Sequence, residues 1–477
     1  MKKLAALILF ALCFLAGLAP AEAQQVTMQG PVPGMDTRLC LDCHRLPNLN
    51  TTEGVYSNQA FCLECHGQKV CTKKVGEEKV SLFVDMNKFK GSRHQYVACQ
   101  SCHNDVARSP HVSQTGVQCL SCHSVHGESL VNDPHLRVRC EACHHQGGVA
   151  KVDPATGLVG LASLDAKGQA MSLADHSRPD LQSTELCLKC HVRHNQAGAP
   201  AYVLPAKSVL CFLCHPASFS LGNFWFAAAL VIFLGGLVIL FLFWLKGKVE
   251  GESQSAHKKI ALGAEKFWRT MTSPERNKVL KVILLDVLLQ RRILQESVQR
   301  WFFHTLLYWS ILSRLILGLF TWFVYQAWPD SSLALGLMDK NNAFVAIFND
   351  LTGLCLLVGV VLAALQRYVL KPRHVASEYK DNVALALLGA MAILGFLVEA
   401  ARLTMSQIPP DLAVHSFVAY PLSRVFALLN WEWTLIYVWL WYAHGLVAAA
   451  FVAYLPFGKM KHMFVSPLSL VLNRDLE

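Results

Sequence analysis

CFLCHPASFSLGNFWFAAALVIFLGGLVILFLFWL, residues 211–245, is the stretch that decides how the chain is read. Cys211-Phe-Leu-Cys-His215 has the spacing at which two thiols add across the two vinyl groups of one haem while the next residue, a histidine, ligates the iron. Within six residues, Leu221 to Leu245 begins an almost uninterrupted apolar run long enough to cross a bilayer. A redox group is therefore tethered at a membrane surface. The chain before this junction is polar and the chain after it is mainly hydrophobic, so electrons are expected to pass here between lipid and water.

Composition agrees with two unlike halves. With 477 residues and 53% hydrophobic content, the chain has room for two or three domains and is too apolar for an ordinary soluble protein. The first 23 residues have the three parts of a secretory signal: Lys2 and Lys3, an apolar run from Leu4 to Leu18, and Ala21-Glu22-Ala23 as a cleavage site. Residues 24–216 are then an exported domain, and an uncleaved anchor would export them equally. A net charge of +10 would suit nucleic acid, but an exported, membrane-bound chain does not meet it. The charge is read as a topology signal.

Seven Cys-x-x-Cys-His pentads account for fourteen of the seventeen cysteines: Cys40/Cys43, Cys62/Cys65, Cys99/Cys102, Cys119/Cys122, Cys140/Cys143, Cys187/Cys190 and Cys211/Cys214. One pentad alone could be a zinc half-site, but seven in under 200 residues point to seven c-type haems. Of the other cysteines, Cys13 lies in the leader, Cys71 has no evident role, and Cys355 reads as a small core residue. The proximal ligands are His44, His66, His103, His123, His144, His191 and His215, and the same segment holds seven further histidines: His94, His111, His126, His135, His145, His176 and His194. Seven irons and seven spare imidazoles suggest mostly bis-histidine, low-potential sites.

Some spacings recur. His94 and His135 each precede a pentad by five positions, and His126 and His194 each follow a proximal histidine by three. A histidine placed near one haem commonly ligates a neighbour, so the pairing stays open. About 27 residues per haem is too little for a conventional core, and the porphyrins themselves must fill it. The longest pentad-free insert, Gly147 to Leu181, reads as a surface hairpin or a docking loop, with the hairpin preferred. This half resembles the periplasmic multihaem cytochromes c of bacterial respiration, including nitrite-reductase electron donors with Cys-x-x-Cys-His-x-x-His runs.

Beyond Pro216 five apolar spans are marked, at about 221–245, 301–325, 343–367, 382–404 and 432–456. Each is near the twenty residues a bilayer requires, and only helices satisfy their backbone there. The expected fold is therefore mainly α, a haem-packed, loop-rich cytochrome c domain followed by a five-helix bundle at 217–477. Starting outside, Lys246 to Arg300, Arg367 to Lys380 and Lys459 to Glu477 become cytoplasmic. These connections are rich in Lys and Arg, in agreement with the export signal. Val279 to Gln290 and Ala413 to Leu429 are too short to cross and read as amphipathic surface helices. Trp431, Trp433, Trp439 and Trp441 read as an interfacial belt.

Histidines within lipid are costly and commonly functional. His304 opens the second span. His444 and His462 are eighteen positions apart, five turns along one face if a single helix carries both. Here the sequence resembles a family: His444, Leu455-Pro-Phe-Gly-Lys459 and His462, with Trp301-Phe-Phe-His304 and the region from Arg367 to Arg402, resemble the respiratory nitrate reductase gamma subunit and related membrane subunits of sulfate reducers. The resemblance covers roughly 220–470 and implies a b-haem-carrying quinol oxidoreductase in which His304 and His462 clamp the inner haem. That pattern needs a histidine ten residues after His304, where this chain has Arg314. One or two b haems are expected, with His444 the ligand for a second, paired with His415 or unused.

Arg314, Asp350, Glu399 and Arg402 are the candidates for a quinol site, with an ion-pair network as the structural alternative. The reading is a quinol:cytochrome c-type oxidoreductase of the inner membrane, passing electrons from menaquinol or another quinol to a periplasmic cytochrome or reductase. Its rivals are a quinone-independent conduit for a cytoplasmic iron-sulfur subunit, supported by the long inner loop, and a multihaem nitrite or hydroxylamine reductase. Membrane lipid is a partner in every version.

Overall fold

The computed structural model describes residues 49–75, 78–103, 119, 122, 134–144, 149–161, 184–217, 220–245, 255–272, 276–329, 331–370 and 379–472. The leader, the first pentad with Cys40, Cys43 and His44, and His111, His123, His126, His145 and His176 lie outside the described residues. The chain separates into two compact units, residues 1–123 with 174–176, and residues 124–173 with 177–477.

In the first unit, the helix Thr52–His66 carries the second pentad in its last turns. It begins where the Thr51 hydroxyl accepts from the Gly54 amide, as a helix N-cap should. Its buried face holds Val55 together with the polar Asn58 and Gln59. Gln59 donates to the carbonyls of Gln95 and Val97, and Asn58 accepts from the Gln100 amide. These bonds tie the helix to the third pentad, Cys99–Cys102, and bring the Cys62 and Cys99 thiols into hydrogen-bond reach. A hairpin of β1 (Thr72–Val75) and β2 (Glu78–Ser81) follows, paired Thr72 to Ser81. Among the described residues of this unit, Val55, Phe89 and Ala98 are the buried apolar side chains, and the polar bonds add the long-range ties.

The second unit contains the fifth, sixth and seventh pentads together with all the long apolar helices. Its short elements include the helix Cys140–His144 and a hairpin of β3 (Ala150–Val152) with β4 (Val159–Leu161). The hairpin lies within the long insert, as expected. Five helices are long and apolar enough to cross a membrane, at 224–243, 298–327, 332–370, 379–405 and 433–454. The first has no charged residue and a mean hydropathy of 2.9, so neither charge nor sequence break opposes its insertion. The second starts where Ser297 accepts from the Arg300 amide, and the helix Ala343–Leu365 starts at an Asn342 cap.

The bundle core is Ile311, Leu356, Val360, Leu388, Met391, Ala392, Phe451 and Leu455, with Leu213 and Cys214 of the last pentad packed against it. At the end of the bundle where the first span begins, short connections lock onto loops from the segment that carries the pentads. Arg137 pairs with Asp339 at 3.5 Å, the Ala201 amide donates to Thr434, and Ser406 donates to the Gly198 carbonyl. Gly198 has a left-handed φ of 61°, and a Cβ there would lie 2.6 Å from the Met405 oxygen, so only glycine permits this approach.

At the opposite end the loops are charged. Asp381 takes Lys459 at 3.1 Å and Arg367 at 3.6 Å, while buried Asp286 takes Arg291 at 2.9 Å. Helices Ala256–Thr272, Arg276–Val282 and Arg291–Glu296 fill the connection after the first span, and Ala419–Ala427 fills the region expected for an outer surface helix. One expectation fails. His444 and His462 do not share a helix: the last span ends at Tyr454, a 3-10 turn covers Lys459–Lys461, and His462 opens a separate helix to Leu472. Pro456 has no amide for the helix ladder, and Gly458 packs so close to the Tyr454 ring that a Cβ would lie 2.6 Å away.

Candidate functional site

The expected attachment thiols are not enclosed alike. In the first unit Cys62, Cys99, Cys102 and Cys119 are half-buried, while Cys65 and Cys122 are exposed. Cys65 sits in the last turn of Thr52–His66, where its carbonyl accepts the Gly67 and Gln68 amides and its side chain faces solvent. The Cys122 amide donates to the Cys119 carbonyl at 3.3 Å, and Cys122 lies within electrostatic reach of Cys102. In the second unit Cys140 and Cys187 are exposed, whereas Cys143 and Cys190 are half-buried and within electrostatic reach of each other. Protein atoms therefore do not cover Cys65, Cys122, Cys140 or Cys187. Cys211 and Cys214 are half-buried too, but what lies beside them is the helix bundle: Cys214 packs against its core and both thiols line a cavity with Met391 and Phe451.

Three histidine pairings emerge in the second unit. At the charged end, the His304 and His462 rings lie 5.9 Å apart, centre to centre, at 54°. Two imidazoles that each sit about 2 Å from one iron, on opposite sides, have ring centres about 6 Å apart. The rings are also held with the correct edge free. His304 Nδ1 is 2.9 Å from the Gln290 side-chain oxygen, and His462 Nδ1 is 2.7 Å from the Lys459 carbonyl. Both partners are acceptors, so each Nδ1 carries the proton and each Nε2 keeps its lone pair for a metal. The residues fit a haem clamped between the start of the second span and the helix after the fifth.

Gln290 was not visible as a site residue from the sequence. It is buried, with a left-handed φ of 54°, at the break between the π-helical turn Ile283–Leu288 and Arg291–Glu296. Trp301 Nε1 donates to the Leu289 carbonyl beside it and pins the break to the second span. The run expected to be an amphipathic helix, Val279 to Gln290, is helical as far as Leu288, and the break that ends it aims an amide oxygen at His304.

The second pairing is His135 with His191, whose ring centres are 6.2 Å apart at 85°. His191 is the proximal histidine of the sixth pentad. His135 precedes the fifth pentad by five residues and faces the sixth, in keeping with a histidine near one haem serving another. His191 Nδ1 is 3.0 Å from the Pro200 carbonyl, and burial holds the imidazole below its ordinary pKa, keeping it neutral and able to ligate. His66 shows the same lock in the first unit, with Nδ1 3.1 Å from the Leu82 carbonyl and the Cys71 sulfur 3.8 Å away. That contact is the first structural role for Cys71.

The third places the seventh pentad inside the bundle. Cys211 lies in the 3-10 turn Val209–Leu213, which begins where the Ser208 hydroxyl accepts from the Leu210 amide and packs against the second and fifth spans. Cys211, Cys214, His215 and His444 line one cavity. His215 is half-buried, its Nδ1 3.2 Å from the Pro216 carbonyl, and desolvation with nearby Lys207 holds its pKa well below the ordinary value. His415, the other partner considered for His444, sits with Nδ1 3.2 Å from the Leu412 carbonyl and does not line this cavity.

Other expected histidines are placed less tellingly. His194 has a φ of 56° and points its exposed ring at Glu432, 3.5 Å away. His94 is exposed, and His103 and His144 close the helices of their own pentads.

The quinol-site candidates divide by what they touch. Asp350 accepts the Val418 and Ala419 amides at 2.6 and 3.2 Å, capping the helix Ala419–Ala427. Arg314 donates to the Thr352 hydroxyl at 2.7 Å and to the Asn349 carbonyl. Arg402 grips Glu399 through two bonds of 2.6 and 3.0 Å and reaches Asn341 at 2.9 Å. Lys207 and Lys340 are half-buried within electrostatic reach of this pair, and desolvation with the Lys340 charge pushes the Lys207 ammonium well below its ordinary pKa. Neither lysine stood out in the sequence, although Lys207 lies only four positions before Cys211.

Comparison with known proteins bears on this second unit. Residues 316–476 match the family described as nitrate reductase gamma subunit. The membrane part is gamma-like. That family binds haem b. One subunit of the dihydromethanophenazine:CoB–CoM heterodisulfide reductase from Methanosarcina barkeri is 28% identical over 267 residues, covering 52% of this chain and 89% of the relative. The Methanosarcina acetivorans counterpart is 28% identical over 261 residues, with the same coverage of 52% and 89%. An EtfAB:quinone oxidoreductase from Syntrophomonas wolfei is 26% identical over 205 residues, 39% of this chain and 27% of that protein. No solved structure matches. The chain is a multi-pass membrane protein whose relatives are membrane electron-transfer subunits of larger redox complexes.

Proposed function

We propose that this chain carries electrons between a membrane quinol pool, menaquinol by preference, and periplasmic acceptors, through one or two b haems and seven c haems. The observation that carries the reading is the presence, in one helix bundle, of a histidine clamp at one end and a Cys-x-x-Cys-His site packed into the core toward the other. Haem bound at such sites supplies one-electron carriers whose potentials follow their axial ligands and burial. The chain's own residues do the rest. Gln290 and the Lys459 carbonyl orient the clamping imidazoles, the apolar spans exclude water, and Pro200 and Pro216 carbonyls fix two proximal histidines.

Quinol oxidation also needs a group to receive protons. The Glu399–Arg402 pair with Lys340 and Lys207 is a half-buried titratable cluster at the end of the bundle that carries the haem-segment loops, and it is the favoured place. Asp350 and Arg314 are engaged as a helix cap and a cross-helix tie, so they weigh less. The relatives' names pair dihydromethanophenazine with a heterodisulfide and EtfAB with a quinone, which supports a diffusible membrane carrier. Partners outside the membrane are a periplasmic cytochrome or reductase and, by the subunit character of the relatives, a cytoplasmic iron-sulfur subunit seated on the helices between 256 and 296. His135 opposite His191 supports electron transfer rather than nitrite or hydroxylamine reduction at the sixth site.

The test uses the purified full-length haem-loaded chain mixed with a reduced menaquinol analogue. Rapid reduction of b and then c absorbance, abolished by a quinone-site blocker, is expected. Haems that stay oxidised, or that reduce equally fast with the blocker present, would overturn the quinol reading.

A further inference from the structure

We propose that His444 is the second axial ligand of the seventh covalently attached haem, so that the redox group at this end of the bundle is c-type and stands where a second b haem was expected. The inference deepens the proposed function and rests on its assignment of haem to the seventh pentad. It requires one imidazole from the pentad, one from the bundle, and a pentad seated within the bundle.

Each requirement has its observation. Leu213 and Cys214 pack on the bundle core beside Met391 and Phe451, so the attachment sequence reaches between the spans. The second span yields to it at Gly318, where a Cβ would lie 3.2 Å from the His215 carbonyl carbon and 3.3 Å from its oxygen. Cys211, Cys214 and His215 share their cavity with a single other histidine, His444 of the last span. The His444 Nδ1 is buried without a hydrogen-bond partner, and Gly395 packs beside the same ring. A buried polar ring nitrogen with nothing to bond is costly, and it is expected where a ligand supplies what the protein does not.

The consequences are countable. The two thioethers and His215 already hold the group, so the bundle need supply only one ligand, and His444 does so alone. His415 and Arg314 have protein partners and are not needed. The haem complement is then seven c and one b. Met391, which lines the same cavity, is the rival ligand through its thioether sulfur.

The experiment uses the purified full-length holoprotein in detergent. Haemochromogen spectra should give seven c to one b, and mass spectrometry of the Cys211→Ser, Cys214→Ser double variant should show loss of one covalent haem. In His444→Ala the c and b contents should stay unchanged, while electron paramagnetic resonance gains one equivalent of high-spin ferric haem. Should the alanine variant fail to assemble, His444→Met keeps a ligand and should raise the midpoint potential of one c haem without a high-spin signal.

Loss of b absorbance in either His444 variant would make it a b-haem ligand and overturn the proposal. Overturning it equally would be an unchanged resonance spectrum and midpoint set, or a high-spin signal produced by Met391→Leu and not by His444→Ala. Because these readouts are spectroscopic, failure of quinol to reduce a protein with the expected ligation removes the functional reading alone.

Discussion

The two ends of the helix bundle solve the same problem differently. At the charged end nothing covalent holds a haem, and the protein orients both imidazoles with acceptors on Nδ1, from Gln290 and from the Lys459 carbonyl. At the other end the pentad brings its own thiols and His215, and His444 meets them with an unpaired Nδ1. A non-covalent site depends on preorganised ligands, because each misaimed imidazole costs binding directly. A covalent site tolerates an under-supported ligand, because attachment no longer depends on it. The difference teaches where mutation should remove a cofactor and where it should only change one.

The largest effect is expected at the clamp. Replacing His304 or His462 by alanine should abolish b absorbance while the covalent haem count is unchanged. Haemochromogen spectra of membranes and of purified protein check this, and retention of the full b signal in either variant would break the comparison at its root. Next is His135→Ala. The sixth haem stays attached through Cys187 and Cys190, and one low-spin c haem should become high-spin without loss of mass. If the resonance spectrum is unmoved, the 6.2 Å approach of His135 to His191 is packing and not ligation.

Gln290→Ala sharpens the contrast by leaving both clamp ligands in place. Loss of such a supporting hydrogen bond typically lowers affinity for the metal group by about 10- to 100-fold. Haem titration of the apo full-length chain should show weaker b binding, and Gln290→Glu, which keeps an acceptor for His304, should recover most of it. Equal, wild-type binding in both variants would mean that His304 does not rely on this partner.

Much of this architecture was legible in advance, for reasons that also mark where legibility stopped. Five spans were found because a bilayer dictates length and apolarity locally, and the pentads because thioether chemistry dictates spacing. Pairings across the fold have no such local signature. His135 sits five residues before one pentad and faces another, a relation set by how Cys140–His144 and the loop after His191 pack. The same spacing places Cys65, Cys122 and Cys143 as it places Cys214, yet only the last is packed on the bundle core, because burial depends on what the rest of the chain lays over a pentad. Gln290 acquires its role only because its left-handed backbone ends the apolar helical run and turns its side chain toward His304, which the apolar pattern does not encode. The break between His444 and His462 was written in Pro456 and Gly458, but a proline in an apolar helix can also kink it without ending it, and only the packing of Gly458 on Tyr454 decides. At Asp350 the charge suggested proton chemistry, whereas the partners that occupy it are amides 68 and 69 residues away.

Asp350 provides the smallest and most discriminating prediction. Its carboxylate takes two backbone amides at the start of Ala419–Ala427, and removing a buried acceptor of this kind costs about 1–3 kcal/mol. Asp350→Ala should therefore lower the midpoint of thermal unfolding, whereas Asp350→Asn, which keeps one oxygen in place, should lose less than about 1 kcal/mol. A proton acceptor behaves otherwise, because asparagine keeps the shape but cannot take a proton, and both variants would then slow quinol oxidation alike. Measuring stability and quinol-driven haem reduction on the same preparations separates the two. If Asn is stable yet as inactive as Ala, the carboxylate takes protons; if activity follows stability across the pair, it is a cap, and proton release belongs to the Glu399–Arg402 cluster.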